Sequence, residues 1–183
     1  MDKIFTKNIE HESAIKHVTG KAIYTDDIPE PRNLLHAVIG YSNCSRGIIK
    51  KINYDEVYKS EGVIDIITEK DIEGINDVGA IFKGDKIFTS KDIEYFGQPI
   101  FAVIARSNLL AKKAALKVKI DVKEIKPILT IEEALRKKSY VLEPRQIARG
   151  NVKKGFKDSD IVLKGKLQTG GQDHFYLEGQ ISM

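Results

Sequence analysis

The sequence predicts an α+β chain, in which short strands of a mixed sheet are interleaved with short helices. Two observations predict it. Short apolar, β-branched runs recur between Leu34 and Val122. Between them stand helix-spaced stretches, two of which are preceded by a capping residue, Ser107 and Thr130. With 42% hydrophobic and 31% charged residues, this 183-residue chain has the balance of a globular protein and can build a core.

Taken in order, Met1 to Gly20 is polar and without a clear period, and it reads as an arm. Asp26, Asp27, Pro29 and Pro31 make the next stretch a turn-rich loop, because Asp side chains bond nearby amides and Pro withdraws a ladder donor. Leu34–Tyr41 reads as a buried strand and Gly47–Tyr54 as a weaker one. Asp55–Ser60 is helix-like, with Gly62 as its stop. Val63–Ile67 is a third strand, and Thr68 caps the turn that follows. Ile75–Phe96 reads as loops with short strands.

Ile100–Ala105 is the clearest strand of the chain. Ser107 caps a helix from Asn108 to about Lys117, with Leu109, Ala111, Ala114, Ala115 and Leu116 expected on one face and Lys112 and Lys113 in water. Val118, Ile120 and Val122 alternate with charged residues, as a half-exposed strand does. The strand–helix–strand order suggests a βαβ-like unit, right-handed if its strands are parallel neighbours. Thr130 and Glu133 form a capping box for a helix to Lys138. Tyr140–Lys157 reads as a linker, and Ile161–Leu167 and Phe175–Leu177 as two strands joined by Gly170-Gly171. The chain stops just after the second of these. A strand ending there without a partner would expose its ladder groups, so the last stretch is expected to open a larger domain.

Charge and cysteine usage exclude several functions. The net charge of +4 is small and evenly spread, unlike the basic stripe of a nucleic-acid binder. The Lys112-Lys113 and Arg136–Lys138 clusters fit solvated helix faces. A single cysteine, Cys44, allows no internal disulfide and no thiolate zinc cluster. No signal segment is visible, and no apolar stretch approaches the ~20 residues of a membrane span. A cytoplasmic location is therefore expected.

No phosphate loop, dinucleotide fingerprint or nucleophile elbow occurs. His36 lies in a strand, where a core or cross-strand role outweighs a ligand role. Asp26-Asp27 fits turn chemistry better than a catalytic carboxylate pair. The exception is Gly170-Gly171-Gln172-Asp173-His174-Phe175-Tyr176-Leu177-Glu178-Gly179-Gln180. Paired glycines let a backbone approach a large ligand, and the amide of Gln172 both donates and accepts hydrogen bonds. A purely structural Gly-Gly turn is the competing reading.

This segment resembles the glycine-glycine-glutamine-acid-histidine-phenylalanine-tyrosine-leucine-glutamate motif of the xanthine dehydrogenase and aldehyde oxidase family, and its extension Gly179-Gln180 resembles bacterial xanthine dehydrogenases whose molybdenum subunit is a separate chain. His17–Pro29 is similar to the family's opening signature. Leu35-His36-Ala37, Gly62-Val63, Asp71–Gly74, Phe96–Ile100 and Lys154–Phe156 follow in the family's order.

The resemblance implies residues 1–18 as an N-terminal arm, 19–127 as an α/β hammerhead domain, 128–150 as a linker and 151–183 as the truncated start of a molybdopterin-binding domain. It implies a parent enzyme that hydroxylates a purine with water-derived oxygen and passes electrons to iron–sulfur clusters and FAD on partner domains or subunits. Gln172 and Gly171 are the residues it places at the cofactor, Gln172 bonding an oxygen ligand on molybdenum. It places no catalytic residue and no metal ligand in this chain. The substrate-binding arginine and catalytic glutamate would lie beyond Met183, so the chain alone is expected to hold no cofactor and no activity. A hammerhead module that only docks partner subunits, and an aldehyde-oxidising parent, are the alternatives.

Overall fold

Ser107 shows how local chemistry sets the elements. Its hydroxyl accepts the N–H of Leu110 at 3.3 Å and opens the helix Asn108–Ala115. Removing this cap with Ser107→Ala is expected to cost about 1 kcal/mol, measured as a lower midpoint in urea unfolding. The structure is a computed structural model that describes residues 10–176 and 180–183. Residues 31–144 form one compact unit, and the described residues of 1–30 and 145–183 group as a second.

The first unit holds six strands: β1 (His36–Tyr41), β2 (Gly47–Asn53), β3 (Val63–Ile67), β4 (Asp92–Ile93), β5 (Pro99–Ala105) and β6 (Lys119–Glu124). Helices α2 (Asp55–Tyr58), α3 (Asn108–Ala115) and α4 (Ile131–Lys137) lie between and after them. α1 (Ala14–Val18) and α5 (Val152–Asp158) belong to the second unit. The strands make two three-stranded sheets, ordered β1-β5-β3 and β4-β2-β6, and the described pairs are antiparallel. The expected βαβ pairing is therefore corrected: β5 and β6 lie in different sheets. β5 is already flanked by β1 and β3, which leaves it no edge for β6, and β6 pairs with β2 instead.

The core sits where α3 packs against β5 and β1. Val103, Ala105, Ala111, Ala114 and Val57 are fully buried. The buried face of α3 is Ala111 and Ala114 with Leu110 beside them, and not Leu109 or Leu116, which are 60% and 87% exposed. Leu110, Ala111 and Ala114 fall on one side at helical spacing, and two alanines let the helix sit close to the sheet. β1 is half-buried and not buried as expected, because α3 covers one face only. Val38 and Gly40 turn inward, while Ala37, Ile39 and Tyr41 turn outward. Gly40 is a packing requirement: a Cβ there would stand 2.0 Å from the Phe101 ring.

Turn chemistry is as the residue types dictate. Gly62 has φ +74 after α2, a conformation that suits glycine. Thr68 and Asp71 form a reciprocal capping box. The Thr130 hydroxyl accepts the Glu133 N–H at 3.2 Å, while the Glu133 carboxylate pairs with Lys137 at 2.7 Å. Within 75–96, Asp77 organises the loop. Its carboxylate accepts the N–H groups of Gly84 and Gly79, which hold its pKa below the usual carboxylate range.

Tyr54 stacks edge-on to Phe101 with centroids 5.4 Å apart. Burial first, then the nearby Tyr58 and Asp71, push its phenol up to about 12. The unfolded phenol ionises near its ordinary value of 10.0, so this contribution to stability is complete below that pH and is lost as pH rises towards about 12. The phenolate absorbance of wild type minus Tyr54→Phe should show this late titration; a difference centred at the ordinary tyrosine value would contradict it.

Two expectations for the second unit fail. Residues 161–167 and 175–176 form no strand, and Leu177 lies outside the described residues. Their side chains have strand character, but a strand exists only with a ladder partner, and the described chain offers them none. Val152–Asp158, read as linker, is the helix α5, with the Asn151 side chain accepting the Lys154 N–H at 2.9 Å.

Candidate functional site

Gly170, Gly171 and Gln172 lie in an exposed stretch of the second unit without regular secondary structure. Neither glycine has positive φ, so left-handed backbone is not their use here. What they offer is room: a Cβ at either would meet nothing within 4 Å. The Gln172 amide has no protein partner among the described residues. Next to it, the His174 N–H donates to the Asp173 carboxylate at 2.8 Å, and Gln180 donates to the Tyr176 hydroxyl at 3.4 Å. Leu177, Glu178 and Gly179 of the same motif lie outside the described residues. Apolar side chains of this part of the chain stay in water: Leu163 is 91% and Phe175 92% exposed. The described residues put no wall around Gln172, and among them no three His, Cys, Asp or Glu converge on a point that could hold a metal.

The other residues singled out in the sequence are structural. His36 is half-buried in β1, in register with Ala105 of β5. The Asp27 carboxylate accepts the Tyr24 N–H at 3.0 Å, which is turn chemistry. Cys44 is buried in the core. His17 Nδ1 and the Tyr24 hydroxyl share a hydrogen bond of 3.1 Å on the exposed arm.

Sequence reasoning missed one constellation, in the first unit. Gln98 and Ser42 are buried polar residues that pin the turn 94–98. Gln98 Oε1 accepts the Glu94 N–H at 2.8 Å, and the Ser42 hydroxyl donates to the Tyr95 carbonyl at 2.9 Å. The Gln98 N–H in turn donates to Ser42 Oγ at 3.0 Å. This presents Tyr95 and Phe96 outward, and Phe96 walls an open cleft of about 250 Å³ with Cys44, Arg46 and Glu124. Ser42 and Gln98 stand 56 residues apart in the sequence, so no local signal could have revealed their pairing.

A family model described as aldehyde oxidase and xanthine dehydrogenase, a/b hammerhead domain, matches residues 19–126. The chain belongs to this family. Aldehyde oxidase 1 of Bos taurus is 39% identical over 174 residues, which are 94% of this chain and 13% of that protein. Xanthine dehydrogenase/oxidase of Gallus gallus is 38% identical over 168 residues, 92% of this chain and 12% of that one. The crystal structure of the aldehyde oxidoreductase from Desulfovibrio desulfuricans ATCC 27774 superposes with a TM-score of 0.65 at 28% identity, over 74% of this chain and 16% of its own. The hammerhead-family chain thus spans only 12–13% of the length of these curated relatives. Its mixed architecture of small sheets and short helices is that of the hammerhead domain.

Proposed function

We propose that this hammerhead-family chain is the opening part of the molybdenum-binding subunit of a hydroxylase, and that Gln172 and Gly171 form one wall of its molybdopterin site. One observation carries the reading. In a chain of this family, an amide without a partner among the described residues follows two glycines that have open space beside them. These residues fit one side of a large cofactor and cannot enclose it alone, so the remaining walls come from further polypeptide. On this reading residues 151–183 begin the molybdopterin-binding domain, and strands supplied from elsewhere in the enzyme cover Ile161, Leu163, Leu167 and Phe175.

When bound, molybdopterin with its molybdenum supplies the two-electron redox chemistry of hydroxylation. The work of this chain is positioning. Gln172 donates through Nε2 or accepts through Oε1, and so orients a polar group brought against it. Gly171, with no Cβ, lets the backbone come close. Iron–sulfur clusters and FAD on partner domains or subunits would accept the electrons, and on this reading the enzyme works in the cytoplasm on a purine. The likeness of the 170–180 motif to bacterial xanthine dehydrogenases supports the purine. An aldehyde is the second reading, favoured by the 39% identity to an aldehyde oxidase.

The test is to express this sequence with the remainder of its reading frame and its partner subunits, and to assay xanthine and an aromatic aldehyde in heavy-oxygen water. The expected result is heavy oxygen in the product formed from xanthine. Turnover of the aldehyde alone selects the second reading. Turnover of neither substrate by a molybdenum-loaded protein rejects the proposal.

A further inference from the structure

Folded backbone resists an endopeptidase, because the enzyme takes its substrate as an extended segment whose main chain is free to hydrogen-bond with it. The chain has six arginines: Arg32, Arg46, Arg106, Arg136, Arg145 and Arg149. Local structure holds the first four. A turn closes across Arg32, where the Leu34 N–H donates to the Pro31 carbonyl at 3.2 Å. The Arg46 carbonyl accepts the Ile125 N–H at 3.0 Å, and the bond after it leads into β2 at buried Gly47. The Arg106 N–H donates to the Gly62 carbonyl at 2.9 Å. Arg136 lies in α4.

Arg145 and Arg149 differ. They stand in residues 140–150, which form neither helix nor strand and are all exposed. No backbone group from Tyr140 to Gly150 hydrogen-bonds to another described residue. Pro144 lacks a donor of its own and favours extended backbone in the residue before it. Val141 and Ile147, though apolar, lie fully in water. The core of the first unit uses none of this stretch, since every buried residue among those described lies between Gly40 and Ala114. We propose that residues 140–150 are a site of limited proteolysis, cut after Arg145 and Arg149 by an endopeptidase whose specificity pocket carries a carboxylate for the guanidinium. Each cut consumes one water: its hydroxyl goes to the arginine carbonyl carbon, and its remaining proton to the amine released at Gln146 or Gly150. The first unit keeps its whole core and stays folded. The inference stands independently of the molybdopterin reading.

The test is brief digestion of the 183-residue chain with an arginine-specific endopeptidase, followed by intact mass against time, beside the double variant Arg145→Gln, Arg149→Gln. Both side chains are exposed and have no partner among the described residues, so the variant should fold as wild type does. The expected result is cleavage after Arg145 or Arg149 at least about 10-fold faster than after any of the other four arginines, because those sites wait for local unfolding. The double variant should lose intact chain more slowly by the same factor. The thermal midpoint of the first unit should not change when wild type is cut. First cleavage after another arginine, equal loss of wild type and variant, or a first unit that melts at lower temperature once cut would overturn the proposal.

Discussion

Phe101→Ala is expected to destabilise the first unit by about 3–5 kcal/mol, the range for deleting a buried phenyl ring. Phe101 is 2% exposed in the central strand β5, meets Tyr54 edge-on, and fills the space that Gly40 leaves open. None of these neighbours can collapse readily into the void, because Gly40 has no side chain and the strands on both sides are paired. A melting temperature lower by about 15 °C should follow for a unit of this size. The same geometry predicts strong coupling with Gly40→Ala. In the wild-type background the added methyl would collide with the ring at 2.0 Å and destabilise the unit. In the Phe101→Ala background it should be tolerated. Additive losses in this double-mutant cycle would show that the two residues do not share one packing site.

How much of this was legible beforehand follows from the range of each interaction. β5 and the cap at Ser107 were legible because a β-branched run and a hydroxyl before a helical spacing act over a few residues. The division into two sheets was not, since it depends on β5 being flanked on both sides by strands far away in sequence. The face of α3 was legible at Ala111, Ala114 and Ala115 but not at Leu109 and Leu116, because leucine outweighs alanine in apolar content, whereas the sheet required the smaller side chain at the contact. Residues 161–167 looked like a strand because their composition is that of one, but composition supplies no ladder partner. Gln172 was legible only through its motif. Nothing in periodicity separates an amide at a cofactor from an amide in water, and the structure leaves it exposed, with no partner among the described residues.

The second large effect concerns that amide. If Gln172 orients the reacting assembly, its removal should lower kcat by about 100- to 1,000-fold, the cost of losing one positioned hydrogen-bonding group at a reacting centre. Gln172→Glu keeps size and loses the N–H donors, so it should fall with Gln172→Ala if donation matters. The exposure of Gln172 in this chain argues against a folding role, so the melting temperature of the first unit should not change.

The most direct measurement is therefore kcat of the complete molybdenum-loaded enzyme for wild type and Gln172→Ala, at equal molybdenum content. We predict a fall of at least about 100-fold with the metal retained. An unchanged kcat would contradict the placement of Gln172 at the reacting centre.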